Sequence, residues 1–107
     1  MPPIAPLRTC ALAALTLLAA SIAQAQILIG QTVGITGSAA ATVKESMGGA
    51  ALYIDHVNAR GGVGGQKIEV ISLDDQFDPQ RTLENTRTLI EQKSVIGLFM
   101  TRGTPHT

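Results

Sequence analysis

The chain contains three short apolar runs, separated by two stretches in which apolar residues recur at helical spacing. The apolar runs are residues 27–33, 68–73 and 95–100. Between them, residues 43–57 and 79–90 carry apolar side chains three or four positions apart, which is the spacing of one helix face. The pattern therefore predicts the order strand, helix, strand, helix, strand.

The first predicted helix has signals at both of its ends. Thr42 and Glu45 have the spacing of a capping box, with Thr42 as the N-cap. Gly61 is predicted to end the helix, because the left-handed backbone typical of that position strains residues that have a Cβ atom. The predicted inward stripe consists of Val43, Met47, Ala50, Ala51, Ile54 and Val57.

The second predicted helix begins at an Asp-Pro pair. Asp78 can cap this helix, and Pro79 suits its first turn, where the missing N–H would have had no partner. The predicted inward stripe is Leu83, Thr86, Leu89 and Ile90. The run Val95–Met100 that follows is apolar throughout, which is typical of a strand covered by helices on both faces.

These elements predict an α/β fold. Both connections are long enough to join parallel strands, and right-handed crossovers would make the β-α-β-α-β order the start of a doubly wound parallel sheet. Residues 26–107 are predicted to form one domain. A chain of this size buries only ~60% of its unfolded surface. We therefore expect either a minimal domain or an incomplete one.

Residues 1–25 are typical of a cleavable signal peptide. Arg8 precedes an apolar run at residues 10–20, and Ala23-Gln24-Ala25 has the small-x-small cleavage pattern. The apolar run is too short to span a membrane. A buried N-terminal helix is the alternative. Cleavage would remove Cys10, the one cysteine of the chain, and would leave an exported chain without disulfides.

The charge balance and the spacing of reactive residues argue against several classes of function. Lys plus Arg and Asp plus Glu each number 8, so no basic surface for nucleic acid is indicated. His56 and His106 lack partners at metal-ligand spacing, so we expect no metal site. No serine lies in a G-x-S-x-G elbow and no cysteine nucleophile would survive cleavage. We therefore expect neither an enzyme nor a bound cofactor.

Candidate binding residues lie in the loops that follow the predicted strands. Ligands of open parallel sheets bind beyond the carboxyl ends of the strands. The loops at those ends are here residues 34–42, 74–78 and 101–107. Hydroxyls, glycines and helix N-termini in these loops suit an anion such as a carboxylate. The hydroxyl residues are Thr36, Ser38, Thr42, Thr101 and Thr104. Alternatively these are ordinary loop residues, and Thr42 only caps its helix.

Two other readings of these loops stay open. Asp74 and Asp75 are either an acid/base pair or metal ligands, or solvated loop residues, and adjacent carboxylates at a strand end usually point to opposite sides. A flavodoxin-like domain is the second reading, with a flavin phosphate held at Thr36-Gly37-Ser38. The glycines at 30, 34 and 37 match neither common phosphate-binding motif, which argues against it.

A series of short motifs carries a family resemblance. In order they are Gly34-x-x-Gly37, Gly49-Ala50, Ile54-Asp55, Asn58-x-x-Gly61-Gly62, Gly65-x-Lys67-Ile68, Asp74-Asp75, Asp78-Pro79 and Val95-Ile96-Gly97. In this combination the chain resembles the amino-terminal lobe of periplasmic branched-chain amino-acid-binding proteins. These are solute receptors of ABC importers with the type I periplasmic-binding fold. The resemblance extends over essentially all of residues 26–107.

The resemblance implies a periplasmic, two-lobed receptor that closes on an amino acid or a related small carboxylate and then contacts an ABC permease in the membrane. Thr101 matches a hydroxyl residue that contacts the ligand in the family, and Arg102, Gly103 and Thr104 continue that loop. Thr42 matches a position where several relatives carry an aromatic residue over the ligand. The implied ligand-binding residues are Thr42, Thr101, Arg102, Gly103 and Thr104.

Family members are several times longer than this chain. The resemblance therefore implies that residues 26–107 are only part of the first lobe, without the hinge and the second lobe. We expect a truncated receptor, and an inactive truncated product is the alternative.

Overall fold

The computed structural model describes residues 25–107, so the predicted signal peptide lies almost entirely outside the described residues. Two strands, β1 (Ile27–Val33) and β2 (Ile68–Asp74), form a parallel sheet. Their register runs from Ile27 opposite Ile68 to Val33 opposite Asp74. Among residues 25–107, no helix has the length and apolar character that a membrane crossing requires.

Helix α1 (Ala40–Ala59) joins the two strands and begins earlier than the capping pattern predicts. Ala39 occupies the N-cap and its side chain makes no capping bond. Thr42 therefore lies inside the first turn, where its carbonyl accepts a bond from Ser46 Oγ at 3.0 Å. The predicted capping box is wrong, because the bond from Ala40 N–H to Gly37 O already starts the helical path.

Two glycines end α1 as predicted at Gly61. Gly61 N–H bonds to Asn58 O, Gly62 N–H bonds to Val57 O, and both glycines have positive φ. This pair of bonds is a Schellman motif, which satisfies the last carbonyls of a helix. The Asn58 side chain then bonds both the N–H and the C=O of Ile68, each at 2.8 Å. The helix end is thereby attached to the start of β2.

Helix α2 (Pro79–Arg87) begins as predicted. The Asp78 carboxylate accepts from Gln80 N–H at 2.9 Å, and Pro79 is in the first turn. A π-helical turn, Thr88–Gln92, continues the helix. The buried face differs from the predicted stripe, because Leu83 and Ile90 are exposed while Thr82 is buried together with Leu89.

The predicted third strand, Val95–Met100, is not a regular strand. This segment, here called the third segment, follows β1 with bonds that include Ile96 N–H to Leu28 O and Phe99 N–H to Gly30 O. Its one parallel bridge joins Leu98 to Gly30, so the sheet formed by residues 25–107 is two-stranded. Left-handed backbone at Ser94 and Met100 bounds the segment and shortens its pairing. β1 nevertheless lies between β2 and this segment, which is the expected start of a doubly wound sheet.

The core lies under the carboxyl half of β1 and is partly polar. Gly30 to Val33 are buried in the strand. Leu89 is fully buried, and a Cβ atom at Gly30 would lie 3.2 Å from it, so the helix approaches the strand closely there. The other buried side chains include Gln31, Thr32, Val33, Val43, Asp75 and Thr82. Buried polar groups need hydrogen-bond partners, and these partners determine the arrangement of the loops.

Candidate functional site

The loops that follow β1 and β2 are in direct contact. We call residues 34–39 the β1–α1 loop and residues 75–78 the acidic loop. A Cβ atom at Gly34 would lie 3.2 Å from Phe77 N, and one at Gly37 would lie 2.9 Å from Gln76 O. Gly37 also has φ of 92°, which strains any other residue. Glycine is therefore needed at position 37, and at position 34 any side chain would require the acidic loop to shift by a few tenths of an ångström.

Asp74, at the end of β2, is the main polar link to the β1–α1 loop. Its carboxylate accepts from Thr36 Oγ1 at 2.6 Å, from Thr36 N–H at 3.2 Å and from Gln76 N–H at 2.9 Å. The Thr36 hydroxyl, aided by the backbone donors, holds the pKa of Asp74 below its ordinary value despite the opposing effect of desolvation. The group is therefore a carboxylate at neutral pH.

Asp75 points to the other side of the sheet and is 1% exposed. Its Oδ2 accepts from Thr32 Oγ1 at 3.1 Å and from Thr82 Oγ1 at 3.0 Å, and its Oδ1 accepts from Phe77 N–H at 2.9 Å. The expectation that the two carboxylates point to opposite sides is confirmed, and they do not form an acid/base pair. The expectation that both are solvated is wrong for Asp75, which joins β1, the acidic loop and α2.

The described residues hold no cluster of metal-ligating side chains. In the range 25–107, no three His, Cys, Asp or Glu side chains converge in a way that could hold a metal ion. The Asp74 and Asp75 carboxylates are occupied by hydroxyl and backbone donors instead. Their chemistry here is that of hydrogen-bond acceptors that fix loops.

A cavity of about 180 Å³ lies beside the end of β1. It is bounded by the last residue of β1, the first turns of α1 and the residues that follow the third segment. Its lining residues are Val33, Val43, Ser46, Met100, Thr101 and Arg102. Ser46, Thr101 and Arg102 are thus the polar members of a lining that is otherwise apolar. This combination suits an anion with an apolar remainder.

The structure brings two of the five implied ligand residues to this cavity. Thr101 and Arg102 line it, and Thr42 is exposed in the helical turn beside Val43 without lining it. Gly103 has φ of 102° and precedes a 3₁₀ turn, Thr104–His106. Thr104 is exposed and does not line the cavity either.

Ser46 and Met100 are lining residues that the sequence analysis did not identify. Ser46 follows Val43 by three positions, and residues three apart lie on the same helix face. This spacing could have identified Ser46 once Val43 was known to face inward. Met100 gave no such signal, because its left-handed backbone, with φ of 56°, turns the chain at the end of an otherwise extended segment.

A larger cavity, of about 380 Å³, lies between α2 and the end of the chain. Thr101 lines this space as well, with Thr82, Thr86, His106, Thr107 and apolar residues. The imidazole of His106 stacks on Phe77 with 4.6 Å between ring centroids. None of its lining residues is a lysine, arginine or acidic residue. The smaller cavity, which has Arg102, is therefore the better candidate for an anion.

Comparison with known proteins gives the family. The model of the family described as periplasmic binding protein matches residues 26–106. Leu/Ile/Val-binding protein homolog 7 from Brucella suis is 36% identical over 82 residues, which are 77% of this chain and 20% of that protein. The chain thus spans about a fifth of the length of this relative.

Solved structures agree in fold. The branched-chain amino acid transporter substrate-binding protein LivJ from Streptococcus pneumoniae, in complex with isoleucine, matches with a TM-score of 0.66 and 32% identity, over 69% of this chain and 21% of LivJ. A fatty acid ABC transporter substrate-binding protein from Thermomonospora curvata matches with a TM-score of 0.65 and 31% identity, over 76% of this chain and 20% of that protein. Together with the fold and the family match, these findings show that the chain belongs to the periplasmic binding protein family.

Proposed function

We propose that this chain is part of the substrate-binding component of an ABC importer for amino acids of the branched-chain type or related small organic anions. The observation that carries the proposal is the cavity in which Ser46, Thr101 and Arg102 face apolar walls. In this proposal the ligand carboxylate lies among these three side chains, and its apolar part contacts Val33, Val43 and Met100.

The chemistry of the lining residues supports a carboxylate ligand. A guanidinium pairs with a carboxylate through two parallel hydrogen bonds, and the Thr101 hydroxyl can donate a further bond. The relatives support the same class, since one was solved with isoleucine and another is named for fatty acids. Both ligands combine a carboxylate with an apolar remainder. Thr42 and Gly103 are adjacent in sequence to lining residues, Thr104 follows Gly103, and the three complete the rim in this proposal.

The proposal includes a location and a partner, and family membership supports both. Residues 1–25 direct export and are cleaved, and residues 26–107 then contribute the start of the first lobe in the periplasm. A membrane permease of the ABC type would receive the ligand from the closed receptor. The support is the family match over residues 26–106 and relatives named as ABC transporter components.

Calorimetry with two matched ligands tests the proposal. Isoleucine carries a carboxylate, and isoleucinamide has the same side chain without that negative charge. Both are titrated into the chain and into a chimera in which residues 26–107 replace the aligned part of the Brucella suis relative. We expect isoleucine or octanoate to bind and isoleucinamide not to bind. Thr101→Val should weaken isoleucine binding about tenfold, the loss of a hydrogen bond to a charged group.

Thr104→Val is the comparison variant, because Thr104 has the same side chain in the same loop and does not line the cavity. We expect its effect to be smaller than that of Thr101→Val. A folded chimera that binds none of these carboxylates would contradict the proposed function. A larger effect of Thr104→Val than of Thr101→Val would move the site away from this cavity.

A further inference from the structure

The β1–α1 loop connects two elements whose residues line the candidate cavity. At one end it follows Val33 of β1, and at the other it leads into the first turns of α1, which hold Val43 and Ser46. These three residues line the cavity together with Thr101 and Arg102. A displacement of this loop would therefore move part of the cavity lining relative to the two residues that follow the third segment.

The Asp74 carboxylate holds this loop from the side of β2. The carboxylate accepts a 2.6 Å bond from the Thr36 hydroxyl and a second bond from Thr36 N–H. A single residue of the loop is thus held through two atoms. Hydrogen bonds to an ionised acceptor are roughly twice as strong as neutral ones. Asp74 does not itself line the cavity.

The acidic loop provides a rigid base for this attachment. Gln76 and Phe77 have φ of 53° and 59°, and each donates its N–H to the aspartate two residues before it. Left-handed backbone at residues other than glycine persists only where the surroundings enforce it. Gly34 and Gly37 of the β1–α1 loop pack closely against this base, and a Cβ atom at Gly37 would lie only 2.9 Å from Gln76 O. The attachment point of Thr36 is thus fixed on both sides.

We propose that Asp74 is a positioning residue of the ligand site. Its carboxylate fixes the β1–α1 loop through Thr36, so that Val43 and Ser46 face Thr101 across the cavity. The inference rests on the proposed function, because it assigns Asp74 a role in that same site. Asp74 acts through the loop and makes no contact with the ligand, whose own negative charge it would repel.

The test combines two measurements on the purified chain. Hydrogen exchange of the Thr36 amide, followed by NMR, reports the order of the loop, and calorimetry with isoleucine reports binding. Asp74→Ala and Thr36→Val should each lower the protection of the backbone amide of residue 36. Both should also weaken isoleucine affinity, and for Asp74→Ala the affinity should fall by roughly tenfold. Asp74→Asn should recover part of both, because the amide oxygen still accepts from the two backbone N–H groups.

Asp78→Ala is the matched control. Asp78 is an aspartate of the acidic loop, four residues after Asp74, whose carboxylate caps α2 through Gln80 and, within residues 25–107, makes no bond to the β1–α1 loop. Losing a cap destabilises a helix, so this variant lowers Tm. We expect Thr36 protection and isoleucine affinity to stay at the level of the unsubstituted chain.

Two results would overturn the inference. One is a Thr36 amide that stays protected in Asp74→Ala, and the other is loss of protection with unchanged isoleucine affinity. If the unsubstituted chain binds no isoleucine, the proposed function fails for that ligand, and the exchange measurement alone decides the role of Asp74. Loss of Thr36 protection in Asp74→Ala but not in Asp78→Ala then supports it, and retention contradicts it.

Discussion

Adjacent aspartates with opposite roles are the main feature at the scale of single residues. Alternation along a strand predicts that Asp74 and Asp75 point to opposite sides. Which side is buried depends on distant partners, because the hydroxyl donors to Asp75 lie 43 and 7 positions away in the sequence. A pattern of hydrophobic residues contains no information about such partners. The caps at Asp78 and Gly61 were predictable because their partners are local.

The lowered pKa of Asp74 leads to a prediction for stability against pH. The folded chain binds this proton less tightly than the unfolded chain, mainly because of the Thr36 hydroxyl. Its stabilising contribution is therefore fully present above the unfolded pKa of about 3.9. The contribution is lost as pH falls below that value and through the folded pKa. Asp74→Asn should be less stable than the unsubstituted chain at pH 7, and the difference should shrink in this acidic window.

Urea unfolding at a series of pH values from neutral to strongly acidic measures this difference. The same comparison is made in a chain that carries Thr36→Val, because this substitution removes the hydroxyl that contributes most to the lowered pKa of Asp74. When Asp74→Asn is added to Thr36→Val, the pH dependence of its effect on stability should be smaller than in the otherwise unsubstituted chain. A stability difference that stays constant over the whole pH range would show that the Asp74 charge contributes nothing.

At the scale of elements, the hydrophobic pattern predicted the positions of the helices and strands better than it predicted which helix face is buried. Val43 of the predicted α1 stripe is buried, as expected. On α2, Thr82 took an inward position because the buried Asp75 carboxylate needs its hydroxyl. A polar residue inside the core cannot be recognised from hydrophobicity alone. The cavity cannot be recognised from hydrophobicity either, because its walls come from three separate segments: β1, α1 and the loop after the third segment.

The turn between α1 and β2 allows a matched pair of glycine substitutions. Gly62 and Gly64 both have positive φ, so alanine is strained at either position by about 1–2 kcal/mol. They differ in space, because a Cβ atom at Gly62 would collide with the backbone of Gln66, whereas nothing lies near Gly64. The carbonyl of Gln66, which is part of this backbone, accepts from Val63 N–H, and this bond fixes the turn.

We therefore expect Gly62→Ala to destabilise the chain clearly more than Gly64→Ala. The additional cost is that of forcing atoms into an occupied space, about 1–3 kcal/mol. The free energy of unfolding in urea, measured for both variants, checks the difference. Equal losses would mean that the turn moves aside and that its backbone is not held in place by the bonds around Gln66.

At the scale of the whole molecule, the third segment leaves an apolar edge exposed. Ile96 is 77% exposed and Leu98 is 41% exposed, and Ile90 on the neighbouring helical turn is 54% exposed. Within residues 25–107, Val95 N–H bonds to Leu89 O on the helical turn, and the other backbone bonds of this segment run to β1. Extended edges with apolar side chains are sites at which chains associate. Self-association of the isolated chain should therefore depend on this edge.

Ile96→Lys should reduce concentration-dependent self-association, because a charge on an exposed edge opposes the pairing of chains. The substitution should leave the free energy of unfolding almost unchanged, since surface changes are usually within about 0.5 kcal/mol. Leu52→Lys is the matched control, as Leu52 is 75% exposed on α1, away from this edge. Light scattering over a concentration series distinguishes the two variants. If Leu52→Lys reduced association as much as Ile96→Lys, the general hydrophobicity of the surface would be responsible, and the edge would have no special role.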